Sequence, residues 1–438
     1  MNTSKTGRSQ GKSMKLGGSW LGRVMAFVLV GSLMSTGAYG EHLDVSGGLT
    51  DTSSDCHGVF LGKQIPGETL TRILAAHARW LADHQDPKGV QANLCGADLS
   101  EVDFREEDLS GANFQGANLT RAVFTTARLI HVNFQNANLT EASFYSVDMR
   151  GANVSGASAR LADFRKADLT QTNFTGADLR EANLAESAFR LGVLRGADLE
   201  EAYLVRANFE MANLAEASLI RVDGREANFR RALLVNAKLL EADFNRSDFQ
   251  EADLRSADIS GADFGSANLS EAVLNHANLR EVNLDRAVLF QANLEDANCA
   301  GASFQNADLL EANLMNSNLI RATLDEAYLA KANLLGANLE GADFSWANLA
   351  EADLSQSILE FAVMFRTNLH EAKLDGARFY GADLRGANVE KASFQGTRLE
   401  GVAIRYAQGL NQTQLNQACV DARTRLPEGL VGPSPCLR

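Results

Sequence analysis

Residues 242–271 read ADFNR SDFQE ADLRS ADISG ADFGS ANLSE, six consecutive five-residue units of the form Ala-Asp/Asn-Leu/Phe-x-x. The same frame runs without a slip from Ala92 to Tyr406 through 63 units, among them Ala97-Asp98-Leu99-Ser100-Glu101 and Ala382-Asp383-Leu384-Arg385-Gly386. The third residue is Leu, Phe, Met, Ile or Val except at Ala159, Gly224 and Cys299, and the first is nearly always Ala. A period of five fits neither the 3.6 of an amphipathic helix nor the 2.0 of a half-buried strand, so neither element buries these positions together. A closed coil does. With the first and third residues pointing inward, as side chains two apart on an extended segment do, four units close a coil of twenty residues. The pattern therefore predicts an all-β solenoid of about 16 coils over residues 92–406, with strand-walled sides stacked about 4.8 Å apart.

These units resemble the pentapeptide-repeat family, and the resemblance covers about 70% of the chain. It implies the family's fold, a right-handed quadrilateral β-helix. Residues twenty apart then lie in columns. The fifth positions Gly96, Gly116, Asn136, Gly156, Gly176 and Gly196 form one column of residue types that tolerate positive φ, which predicts tight left-handed turns at that corner. Inward columns Phe104, Phe124, Phe144, Phe164 and Phe189, Phe209, Phe229, Phe249 predict stacked rings, while Gly224 and Ala159 mark voids or bulges. Glu107 is the one acid that the register turns inward, and because an unpaired buried charge is costly it is expected either to flip outward or to be satisfied near the end of the rod. Outward, Glu186, Arg206, Glu226 and Arg246 alternate in sign.

Stacked edges invite another chain to add itself, so both ends are expected to carry caps. Leu70, Ile73, Leu74, His77, Trp80 and Leu81 recur at helical spacing within segment 41–91, and His77 and Trp80 read as packing residues. Beyond Tyr406, residues 407–438 read as a lid: Thr413 is placed to cap a short helix carrying Leu415, Ala418 and Cys419, followed by a Pro-containing tail. The tail resembles the C-terminal segment of secreted pentapeptide-repeat proteins.

The first forty residues hold Lys5, Arg8, Lys12, Lys15 and Arg23 without an acid, then the apolar run Val24 to Met34 and the small residues before Gly40. This is the pattern of a signal peptide cut after Gly40, with an uncleaved anchor and a start at Met14 as alternatives, and it predicts a periplasmic or secreted protein. Without the leader the net charge of −14 becomes −19, which argues against binding nucleic acid or an anionic membrane. Five cysteines in an exported chain predict the disulfides Cys56–Cys95 and Cys419–Cys436, with Cys299 free in the core.

No catalytic constellation is visible. The histidines at 42, 57, 77, 84, 131, 276 and 370 are dispersed, no glycine loop cradles a phosphate, and no serine sits in a nucleophile elbow. No cofactor or metal is expected, and the chain reads as non-enzymatic. Two outward clusters are unexpectedly apolar: Trp346, Phe361, Phe365 and Tyr380, with Tyr406 near, and the stripe Phe290, Leu310, Ala330, Ala350. The sequence thus predicts an exported scaffold or protein-binding rod, its partner an unknown protein or a second copy of itself. The alternative follows from the resemblance: a DNA mimic, since some pentapeptide-repeat proteins present an acidic rod to DNA gyrase or another DNA-binding protein.

Overall fold

The computed structural model describes Cys56 and residues 60–433, so the leader and its cleavage site lie outside the described residues. Within the five-residue units the backbone hydrogen bonds follow one recurring pattern, and that pattern explains the repeat. The first residue's N–H closes a tight turn onto the third carbonyl of the unit before, as Ala117 N does on Phe114 O at 3.0 Å. The second donates to the preceding layer and the third and fifth to the following one: Asn113 N to Ala92 O at 2.9 Å, Leu119 N to Asn138 O at 2.7 Å, Gly116 N to Gln135 O at 2.9 Å. The fourth N–H has no backbone partner, and the Asp or Asn two residues earlier takes it, as Asp98 Oδ1 accepts from Ser100 N at 3.2 Å. This is why the second position is acidic or amidic: its side-chain oxygen satisfies the one donor that the turn leaves over. Asn side chains also form ladders between layers, Asn133 to Asn113 at 3.1 Å and Asn113 to Asn93 at 3.1 Å.

Register between layers is twenty residues throughout the repeats, from Asn93 paired with Asn113 to Asn388 paired with Gln408. The pairing nevertheless stops at one residue per unit. Each second-position residue forms an isolated parallel bridge, the next residues turn, and no bridge extends to a neighbour. The expectation of a β-solenoid, a right-handed quadrilateral β-helix, is corrected on this point: among the described residues there is no strand, and the named elements are two short helices. The physical reason lies at the fifth residue. Every fifth position from Gly96 to Tyr406 has a φ of 53° to 77°, which ends extension before a second bridge can form. The left-handed turns were expected at one corner and occur at all four, mostly on residues that are not glycine. Thr126 is the only β-branched residue among them, in keeping with the steric cost of that conformation.

Two functional expectations fall with the strand-walled rod. The exported scaffold or protein-binding rod and the DNA mimic both required it, and neither stands. Some of the acids that a mimic would present are moreover tied up locally: Asp103, Asp148, Asp163, Asp178 and Asp223 each hold the arginine two residues on.

The first and third residues of the units form one continuous buried core. Phe104, Phe124 and Phe144 stack with centroids 4.9 Å apart, and Phe189, Phe209 and Phe229 stack at 4.8 and 4.9 Å. The space at Gly224 is no void: a Cβ there would lie 2.4 Å from the Phe244 ring, which fills it from the next layer. Ser187, Ser247, Ser317 and Ser357, buried at first positions, donate to the carbonyl three residues back at 2.6 to 2.7 Å. Glu107 is exposed, its side chain turned out of the core.

Both ends are covered. Helix α1 (Gly67–Ala82) buries Ile73 and His77 against the first layer, where His77 Nδ1 accepts from Ala92 N at 3.1 Å. Trp80 stacks on His77 at 5.4 Å. The segment before α1 pairs Leu61 with Ala97 and Gln64 with Asp98, and the disulfide Cys56–Cys95 fastens it. Helix α2 (Gln412–Leu415) is capped by Asn411 and not by Thr413, because Asn411 and Gln414 satisfy each other's N–H groups reciprocally. Gln414 Nε2 also donates to Val389 O and Ala392 O at 2.9 and 3.0 Å. Cys419 is disulfide-bonded, and its expected partner Cys436 lies outside the described residues.

Candidate functional site

The fixed register places Trp346, Arg366, Gly386 and Tyr406 at successive levels of one corner, with Phe365, Arg385 and Arg405 one position before it. Phe361 occupies the preceding corner, between Gly341 and Gly381. These residues form one aromatic and cationic face near the C-terminal end of the repeats. Trp346 stands edge-on to Phe365, centroids 5.8 Å apart at 85°, and Phe361 stands edge-on to Tyr380 at 5.5 Å and 88°. Such edge-to-face pairs are the preferred arrangement of two quadrupoles, so each ring fixes its neighbour's orientation. Even so, Trp346, Phe361 and Tyr406 remain 53%, 54% and 69% exposed.

Arginines occupy the spaces between the rings. The Arg366 guanidinium lies 4.6 Å from the Trp346 centroid and 5.3 Å from that of Phe365, and Arg405 lies 5.2 Å from Tyr406. Arg385 reaches Phe365 at 6.0 Å while gripping Asp383 at 2.8 and 2.6 Å, and this bond holds the Asp383 carboxyl below the usual carboxylate range. The tail contributes Arg423, which donates to the Tyr380 hydroxyl at 3.2 Å and lies 5.3 Å from the centroid of the Tyr380 ring. Gly381 is part of the construction: a Cβ there would lie 3.0 Å from Cδ1 and Cε1 of Phe361, and its φ is 69°.

Of the residues singled out in the sequence, Trp346, Phe361, Phe365 and Tyr380 are thus brought together. The second stripe is not comparable, since Phe290 and Leu310 are half-buried and Ala330 is buried. Arg366, Arg385, Arg405 and Gly381 were missed, although reading twenty residues on from Trp346, Phe365 and Phe361 finds the first two and the glycine directly. The Cys299 thiol is enclosed in the core, and burial pushes its pKa up to about 12. Among the described residues no three His, Cys, Asp or Glu side chains are grouped to hold a metal ion, and no helix is long and apolar enough to cross a membrane.

No curated protein matches the chain. Among solved structures it is similar to HetL, a pentapeptide repeat protein involved in heterocyst differentiation regulation in the cyanobacterium Nostoc, with 28% identity over 51% of this chain and 89% of that one and a TM-score of 0.20. A pentapeptide repeat protein of the Arabidopsis thaliana thylakoid lumen is 41% identical over 21% of this chain and 63% of its own length, with a TM-score of 0.21. The plasmid-mediated fluoroquinolone resistance protein QnrB1 is 19% identical over 43% of this chain and 91% of its own, with a TM-score of 0.32. A family model for a pentapeptide repeat region matches residues 97–174 and 117–191, and one for pentapeptide repeats matches six segments between residues 193 and 401. The chain belongs to the pentapeptide-repeat family.

Proposed function

We propose that this protein is an exported carbohydrate-recognition protein, and that the face carrying Trp346, Phe361, Phe365 and Tyr380 takes a glycan. Pentapeptide-repeat proteins are typically non-catalytic, so recognition and not turnover is the task to be explained. The observation that carries the reading is the pair of orthogonal ring couples, Trp346 with Phe365 and Phe361 with Tyr380. Large rings left open to water forgo the free energy of burial, and a contiguous group of them marks a binding surface. These rings are held by backbone bonds on both sides, Trp346 N to Phe365 O and Phe361 N to Tyr380 O at 2.9 Å each, so little freedom is lost when a ligand arrives. A pyranose ring offers what such a surface needs: an apolar C–H face to lie on an aromatic plane and a rim of hydroxyls for neighbouring polar groups. Export to the periplasm or beyond would bring the chain to the glycans of the envelope. It is supported by the basic-then-apolar leader and by the Cys56–Cys95 disulfide, a bond that persists in oxidising compartments.

The test uses the mature chain, in which Trp80 and Trp346 are the tryptophans that remain after loss of Trp20. A glycan on the face should change the emission of Trp346, and Trp346→Ala and Phe361→Ala should each weaken binding at least tenfold with an unchanged unfolding midpoint. N-terminal sequencing of the protein recovered from the envelope should begin after Gly40. Failure of a broad set of envelope glycans to bind would overturn the reading.

A further inference from the structure

We infer that the glycan is acidic, a polymer of uronic-acid type whose carboxylates are held by Arg366 and Arg405. This rests on the glycan reading above and narrows it. The inference comes from a break in the way this chain handles its arginines. At the fourth position of a unit, an arginine is regularly gripped by the Asp two residues earlier, as at Arg105, Arg150, Arg165, Arg180, Arg225 and Arg255. Arg405 occupies the same position, but the residue two before it is Ala403, and it makes no ion pair among the described residues. At the fifth position, Arg121 pairs with Glu101 one layer away, Arg206 with Glu226 and Arg231 with Glu251. Arg366 has Trp346 on one side and Gly386 on the other, so its guanidinium also finds no carboxylate.

Among the described residues Arg72, Arg79, Arg246, Arg286, Arg321 and Arg425 make no ion pair either, yet none of them lies over a ring. Among the described residues an unpaired guanidinium and an exposed ring coincide on the aromatic face alone, and there they do so twice, at Arg366 with Trp346 and at Arg405 with Tyr406. A guanidinium offers five donors in a rigid plane matched to the two oxygens of a carboxylate, and resting on a ring leaves the donor edge free. Two acids of the adjoining side are already taken. Glu360 is paired with Arg378, and Glu400 with Arg398 at 3.0 Å. In a chain of net charge −14, an anion must be recognised by such local cations, because the long-range field repels it. A sugar ring on Trp346 with a carboxylate toward Arg366, and a later sugar toward Arg405, uses both of the unpaired guanidinium groups of the face.

The experiment titrates the mature, disulfide-intact chain with oligogalacturonate and, in parallel, with its carboxyl-reduced counterpart, which has the same rings without charge. The acidic oligomer is expected to bind at least about tenfold tighter, the scale of one charge-assisted hydrogen bond, and the preference should shrink as salt is raised. Arg366→Gln and Arg405→Gln should each collapse the ratio between the two ligands toward one. Both are exposed side chains without ion pairs, so an unchanged urea midpoint serves as the folding control. Equal binding of the two oligomers would overturn this inference and leave the glycan reading standing. Binding of neither would overturn both. Tighter binding of oligothymidylate than of oligogalacturonate would also overturn both, by assigning the ring and arginine face to single-stranded nucleic acid.

Discussion

Truncating Phe209 to alanine tests whether residues twenty apart are energetically coupled through the core. Phe209 is completely buried, with Phe189 on one side at 4.8 Å and 11° and Phe229 on the other at 4.9 Å and 5°. Loss of a buried phenylalanine side chain costs about 3–5 kcal/mol, because the cavity collapses only in part. Each aromatic pair adds about 0.5–1.5 kcal/mol beyond its area, and here two pairs vanish together. The layers are tied above and below by backbone bonds, Phe209 N to Asn228 O at 2.6 Å and Phe189 N to Asn208 O at 2.7 Å, so the walls have little room to close in. We therefore expect Phe209→Ala to cost about 5 kcal/mol, the top of the usual range. Phe209→Leu, which keeps most of the volume and loses only the ring pairs, should cost about 1–3 kcal/mol.

A stack in which each layer meets only its neighbours does not have to unfold all at once, so the assay must be local. Hydrogen exchange supplies that. Amides of residues 189–229 should lose protection by about a few thousandfold in the alanine variant, the equivalent of about 5 kcal/mol at 1.4 kcal/mol per decade. Those of residues 104–164 should be unaffected. If Phe209→Ala cost no more than Phe209→Leu, or if protection fell equally in the distant Phe104 column, the columnar account of the core would be wrong.

Two further outcomes follow from the register and from the cap. Excision of residues 207–226, one full layer, should leave a folded protein with a similar unfolding midpoint per layer, because Phe229 then follows Phe189 in the stack, whereas excision of 207–211 alone should be far more damaging: it preserves the inward pattern but shifts every later column by one side, setting Leu214 against Phe189 and parting Phe189 from Phe229. Comparable denaturant midpoints for the two deletions would contradict the twenty-residue pairing. At the other end, burial lowers the His77 pKa below its ordinary 6.5, so the folded state keeps the ring neutral while the unfolded chain takes up a proton. Its contribution is complete above pH 6.5 and is lost as pH falls toward the folded value, because the unfolded state then binds more protons. Trp80, stacked on His77, should report an acid-induced loosening of α1 that is reduced in His77→Gln; identical pH profiles in the two proteins would rule it out.

Much of this architecture could be read by counting. The buried first and third positions, the aromatic columns, the capping helix around Ile73 and His77 and the bond between Cys56 and Cys95 all follow from the five-residue frame and the chemistry of its members. The absence of strands did not, because it is decided by backbone angles that the side chains hardly advertise. Glu186 or Arg206 gives no sign of a φ of 59°, whereas Gly176 does, so one corner in four was recognised. Glu107 occupies an inward position by frame, and of its two expected ways to avoid an unpaired burial it takes the outward turn, a choice that the frame itself does not decide. The candidate site divides in the same way. Its aromatic rings stood out as apolar residues at outward positions, while its arginines were lost among many others until each was found to have, or to lack, a carboxylate partner.

The left-handed fifth residue has a consequence for how such a surface can change. Its conformation is imposed by N–H and carbonyl groups of adjoining layers, so the side chain it carries is close to a free choice: Glu, Arg, Gln, Met, Trp and Phe all occupy the same geometry. The interior fixes where each exterior letter stands and scarcely what it says. A family built this way can rewrite its outer text one position at a time, moving from a neutralised stripe to an open cationic ledge by exchanging a glutamate for a tryptophan or an aspartate for an alanine, with the fold itself indifferent to the message.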